Sequence, residues 1–116
     1  MGPLIVDLGS ARVEFEIDPN GWCRVFLEMA DSRRYLGADA ARVVRDRLSS
    51  SLTEAETGQP RWVLSLSEAH SSLYVSEADG RPQWLWQDAS ANELAKVTLT
   101  EEAAGRLMRA LEQLAV

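Results

Sequence analysis

Polar and apolar residues alternate along most of this chain, and twice the alternation gives way to a helical period. Arg12-Val13-Glu14-Phe15-Glu16-Ile17 alternates strictly, with Val13, Phe15 and Ile17 on one face and Arg12, Glu14 and Glu16 on the other. That is the period of a half-buried strand. Leu4–Leu8 reads as a strand before it, closed by Gly9-Ser10. In Asp18-Pro19-Asn20-Gly21, proline presets the first central φ and Asn-Gly tolerates positive φ, so the segment reads as a turn. Trp22–Met29 is the returning strand, and Arg34–Leu36 a short fourth one. The period then changes: Ala40, Val44, Leu48 and Leu52 recur at helical spacing, with Arg42, Arg45 and Asp46 opposite. Gly37 sits where this helix is expected to start, and Ser49-Ser50-Ser51 weakens its end.

The plan repeats after a polar linker, Thr53–Gln59, closed by Pro60. Trp62–Leu66, Leu73–Ser76, Gln83–Gln87 and Leu94–Leu99 read as strands, with a turn at Asp79-Gly80-Arg81-Pro82. Thr100 is placed to cap a second helix, and Glu101 and Glu102 complement the positive end of its dipole. Its apolar stripe is Ala103, Ala104, Leu107, Met108, Leu111 and Leu114. One constant shift pairs Leu36 with Leu99, Asp39 with Glu102, Val44 with Leu107 and Leu48 with Leu111. The chain therefore reads as an α+β fold of two pseudo-symmetric ββββα repeats, approximately 1–57 and 58–116. Each repeat carries one half-buried antiparallel sheet and one amphipathic helix. Neither can cover its apolar face alone, so the two are expected to pack as a single domain.

Composition narrows the function. The 12 basic and 18 acidic residues leave a net charge of −6, which opposes general affinity for phosphate backbones or anionic lipid. No apolar run approaches the ~20 residues that span a bilayer, and no signal-peptide pattern opens the chain. A cytoplasmic protein without membrane attachment is expected. Cys23, the single cysteine, forms no internal disulfide and is expected to pack as a small apolar group. His70 falls in a turn without convergent partners, and no phosphate loop, nucleophile elbow or zinc motif occurs. Neither catalysis nor a cofactor or metal is expected.

The sheet faces turned away from the helices remain. In the first repeat that face carries Arg12, Glu14, Glu16, Arg24, Phe26 and Glu28, whose charges roughly cancel. In the second it carries Arg61, Val63, Ser65, Ser67, Ser72, Tyr74, Ser76, Lys96 and Thr98 without a single acid. Gln83, Leu85 and Gln87 join it if Trp84 and Trp86 face inward; a single bulge reverses that direction. Trp22 and Trp62 are assigned to the core. Single-strand binding needs stacking platforms and backbone cations. Phe26, Tyr74, Trp84 and Trp86 are the candidate platforms, and Arg24, Arg61 and Lys96 the candidate phosphate partners.

The tandem ββββα order, with Leu99-Thr100-Glu101-Glu102 leading from a last strand into a long helix, resembles the Pur-repeat and Whirly families. It is also similar to the single-unit transcriptional coactivators that reach this arrangement by dimerising. The resemblance implies a non-catalytic regulator that binds single-stranded DNA or RNA on a helix-free sheet face. The acidic balance departs from the basic members of those families and points to an alternative, an acidic protein-interaction module: an adaptor, a chaperone or an immunity-type protein. A homodimer is compatible with either.

Overall fold

The computed structural model of the protein describes residues 2–53 and 59–114. The strands are β1 (Leu4–Asp7), β2 (Arg12–Ile17), β3 (Trp22–Met29) and β4 (Ser32–Ala40), followed by helix α1 (Ala41–Thr53). Then come β5 (Arg61–Ser65), β6 (Ser72–Ala78), β7 (Arg81–Gln87), β8 (Glu93–Thr98) and helix α2 (Glu101–Gln113). The strands form two four-stranded antiparallel meanders, β1-β2-β3-β4 (sheet A) and β5-β6-β7-β8 (sheet B). This is the α+β arrangement of two ββββα units that the repeat predicts. The expected repeat boundary between 57 and 58 lies outside the described residues.

Turn chemistry sets the registers. Asp18 Oδ1 accepts from Asn20 N at 2.9 Å and Trp22 N at 3.0 Å, and Gly21 (φ +81°) closes the hairpin. Asp79 (φ +55°) and Gly80 (φ +75°) join β6 to β7, both left-handed as a two-residue hairpin loop requires.

β4 is the first difference from the expectation. It runs to Ala40 rather than stopping at Leu36, and α1 starts at Ala41 rather than near Gly37. A bulge opposite Val25/Phe26 leaves Leu36 as the extra residue, after which Gly37, Ala38 and Ala40 go on pairing with β3. Gly37 has φ +124°, and a Cβ there would overlap Ser67 O. The glycine therefore serves a close backbone crossing between the halves, not a helix start. Beside it, Ala38 N donates to Ser67 O at 3.1 Å and Ser67 N to Ala38 O at 3.0 Å.

Each helix reaches across to the other half. α1 lies against β5 as well as its own β3 and β4, α2 lies against β1, and the two helices touch each other. Arg106 Nε on α2 donates to Asp7 O at 3.0 Å. The stripe Val44, Leu48 and Ser51 on α1 is buried, as are Leu107, Leu111 and Leu114, the residues paired with them by the repeat shift. One continuous core results, from Val6, Phe15 and Val25 through Leu48 and Leu107 to Leu73, Trp84 and Trp86. α2 has a polar N-cap: Thr100 Oγ1 accepts from Ala103 N at 3.1 Å, followed by Glu101 and Glu102.

Candidate interaction face on the second sheet

In sheet B the alternation sends Leu73, Val75, Trp84, Trp86, Ala95 and Val97 into the core. Trp84 and Trp86 are both 0% exposed and meet edge to face, with centroids 5.9 Å apart. They are therefore not stacking platforms. Their inward direction is the one that leaves Gln83, Leu85 and Gln87 outside. Trp84 Nε1 donates to Ser51 Oγ at 3.1 Å, so the ring is anchored to α1. Trp86 Nε1 is buried without a hydrogen-bond partner among the described residues.

β5 reverses three further assignments. A register shift between Trp62 and Leu64 puts Val63 in the core and Trp62 outside, 47% exposed. The sequence assigns Trp62 to the core because the strand itself gives no sign of the bulge. Arg61, expected on the outer face, lies opposite the core residue Val75 and is half-buried.

The outer face of sheet B is organised by register into rows. Trp62 lies opposite Tyr74, Tyr74 opposite Leu85 and Leu85 opposite Lys96, so one row crosses all four strands. Hydroxyl and amide groups flank it. On one side Trp62 Nε1 donates to Ser65 Oγ at 3.0 Å, and Ser65 Oγ bonds Ser72 Oγ at 2.8 Å. Gln87 and Glu93 complete that row. On the other side Gln83 Nε2 donates to Thr98 Oγ1 at 2.9 Å, beside Ser76. Charge enters at the two ends of these rows and at Arg81, which alternation sets on the same face at the start of β7, opposite Ala78. The Arg47 guanidinium approaches the Trp62 ring from α1, 5.5 Å from its centroid. Lys96 Nζ lies 3.7 Å from Glu93 Oε1. Glu93 corrects the expectation that this face holds no acid.

The repeat-equivalent row in sheet A is built oppositely. The shift that pairs Leu36 with Leu99 pairs Arg33 with Lys96, and the corresponding row is Asp7–Arg12–Glu28–Arg33. Arg12 meets Glu28 at 2.9 Å, and Arg33 meets Glu14 at 2.7 Å and Glu16 at 3.4 Å. The hydrogen bond to Glu14 raises the Arg33 pKa further above its ordinary value. Arg24 and Phe26 are on this face as expected, and both are engaged. Arg24 lies 3.7 Å from Asp18 and 4.0 Å from Glu68. Phe26 has the Arg33 guanidinium 3.8 Å from its ring centroid and the Tyr35 ring at 5.0 Å. The Tyr35 hydroxyl donates to Glu68, and burial, then that bond, pushes its pKa up to about 12. The seven candidate residues therefore separate. Tyr74 and Lys96 share the outer face of sheet B, Arg24 and Phe26 lie on sheet A, Trp84 and Trp86 are in the core, and Arg61 lies off the outer face.

Among the described residues, no group of three or more His, Cys, Asp or Glu side chains converges to hold a metal ion. No described helix is long and apolar enough to cross a membrane. No protein-family model, curated protein or solved structure matches the chain.

Proposed function

We infer that the protein is a non-catalytic binding domain whose contact surface is the helix-free face of sheet B, and that its partner is a polypeptide. The Trp62–Tyr74–Leu85 row carries this reading. Aromatic side chains enriched, charge excluded from the centre and a polar rim are the anatomy of a protein-interface core. Tryptophan and tyrosine are also the side chains most enriched among binding hot spots. The partner reading rests further on charge. The chain carries −6, and Arg12, Arg24 and Arg33 on sheet A are already tied to carboxylates, leaving phosphates little to bind there.

A second reading, a single-strand nucleic-acid binder of the Pur or Whirly type, has two supports. One is the tandem ββββα order. The other is that Trp62 and Tyr74 sit side by side on adjacent strands, with Arg47 and Lys96 at the ends of their row. Two bases stacked there are worth about 1–3 kcal/mol each, but Arg47, Lys96 and the more distant Arg81 track very little backbone.

The test is a photo-crosslinking residue placed at Tyr74 or, as control, at Phe26, with the protein expressed in cells. Polypeptide adducts through position 74 that vanish on Trp62→Ala, and none through position 26, are expected. Absence of protein adducts, together with oligo-dT binding that weakens steeply with salt, would transfer the face to the nucleic-acid reading.

A further inference from the structure

We propose that the polypeptide this face takes docks as an extended strand on the open edge of β8, with acidic side chains over the outer face of sheet B. The proposal rests on the reading above and deepens it.

The sheet edges argue for it. An edge strand offers a row of unpaired N–H and C=O groups, which another backbone matches in series. Three of the four edges are already engaged. On β1, Leu8 N donates to Ala11 O at 2.8 Å, so alternation turns Asp7 outward, and Arg106 Nε takes its carbonyl at 3.0 Å. On β4, Ala38 exchanges both backbone bonds with Ser67, and Leu36 O accepts from Ser71 Oγ. α1 runs beside β5, near enough for Arg47 to reach the Trp62 ring. β8 is the fourth edge. Leu99 N donates to Pro82 O at 2.8 Å. Alternation from Leu99 turns the backbone groups of Val97 toward β7 and those of Lys96 and Thr98 away from it. The outward groups bond nothing among the described residues.

Register places the side chains of an added strand. Residues opposite Lys96 and Thr98 stand on the outer face and prolong the Trp62–Tyr74–Leu85–Lys96 row by one strand. The residue between them points to the helix side, next to the buried Val97. The segment therefore alternates, and charge selects its outer residues. Arg47, Arg81 and Lys96 reach this face against one carboxylate, Glu93, in a chain whose net charge is −6. Asp79 and Asp88 stand in the turns beyond its ends, where Asp88 accepts from Ser90 N and Asn92 N at 2.9 Å each. The Lys96–Glu93 pair is half-exposed on both sides and therefore weak. Lys96 in the middle of the edge turns away a basic strand and attracts an acidic one. A nucleic acid carries the matching charge but no amide backbone for the edge.

Amide hydrogen exchange of the intact chain, read residue by residue with NMR, tests this. The probes are two short synthetic peptides, one alternating valine with glutamate and one alternating valine with lysine. The glutamate peptide is expected to slow exchange at Lys96 and Thr98 on the order of tenfold, and to bind about tenfold tighter than the lysine peptide. Lys96→Pro removes an N–H that the β7 ladder does not use, whereas Lys96→Gln removes the charge and keeps that N–H. Affinity for the glutamate peptide should fall about tenfold or more in the first variant and about threefold in the second. The exchange reading needs no variant, so it stands even where proline disturbs β8. Equal losses in the two variants overturn the proposal, as does exchange at Lys96 and Thr98 unmoved by about 1 mM glutamate peptide. Slowing that follows protein concentration without peptide would make the occupant a second copy and overturn it too. A peptide that perturbs the Trp62 indole and Tyr74 but leaves exchange at Lys96 and Thr98 unchanged would overturn the edge pairing and leave the face's role standing. Oligo-dT binding with no peptide binding would overturn both.

Discussion

Trp84 Nε1 on the second sheet donates to Ser51 Oγ on the first helix at 3.1 Å, and Ser51 Oγ donates in turn to Leu48 O at 2.6 Å. This chain of bonds ties the two repeats through the core. Ser51→Ala leaves the buried indole N–H without an acceptor, which costs about 1–3 kcal/mol, partly offset by alanine's better helix propensity. A net loss of about 1 kcal/mol is expected in urea denaturation. Trp86 has no such partner among the described residues, so Trp86→Phe should cost less than Trp84→Phe; the reverse order would contradict the anchoring role.

α1 reaches β5 of the other half as well as its own β3 and β4, and α2 reaches β1, so each half draws part of its cover from the other. Separate peptides spanning 1–53 and 59–116 are expected to show no cooperative thermal transition by circular dichroism. Mixing them should restore one. A half that melts cooperatively alone would show that its helix folds back onto its own sheet.

Gly37→Ala is expected to be among the most damaging single substitutions. Its φ of +124° strains any L side chain, and the new Cβ would overlap Ser67 O and lie 2.7 Å from Leu66 Cβ. A loss of about 3 kcal/mol or more follows from strain plus steric overlap. Gly9→Ala, with φ +95° but open space around it, is the control and should cost clearly less. Equal losses in the two would show that strain alone, and not the crossing at Ser67, matters at Gly37.

Alkaline pH should destabilise the fold earlier than a simple surface would suggest. Burial pushes the Cys23 thiol from 9.0 up to about 12, and Tyr35 rises from 10.0 to about 12. Both groups are held neutral in the folded state. Stability is therefore full below the unfolded values and falls as pH rises through 9–12 for Cys23 and 10–12 for Tyr35. Cys23→Ala should move the onset of loss from near pH 9 to near pH 10, read from urea midpoints across a pH series. An unchanged onset would show that the thiol is not the first group to titrate.

Much of the fold is legible because alternation, turn residues and a helix stripe each leave a strong local signature. The spans of β2 and β3 match their alternation, and Thr100 caps α2 as its position predicts. What the pattern misses is tertiary. β4 runs on past Leu36 because Gly37 permits a close crossing with a segment far along the chain. The candidate site is half legible. Tyr74 and Lys96 follow from strict alternation on their strands. The pattern misplaces Trp62 because the bulge in β5 turns over the parity of a short apolar strand. Trp84 and Trp86 look the same in sequence whether they face solvent or core; what decides is the core that both repeats close around them, to which the other repeat adds Ser51 as Trp84's acceptor. That Arg24 and Phe26 are engaged cannot be read locally either, since their partners Glu68, Arg33 and Tyr35 arrive from other strands and turns.

The direct test of the contact surface is a scan of photo-crosslinking positions in cells, at Tyr74 and Leu85 on sheet B and at Arg12 and Phe26 on sheet A. Polypeptide adducts through Tyr74 and Leu85 and none through Arg12 and Phe26 are the expected result. Adducts that gather on the sheet A positions, with none through sheet B, would contradict it.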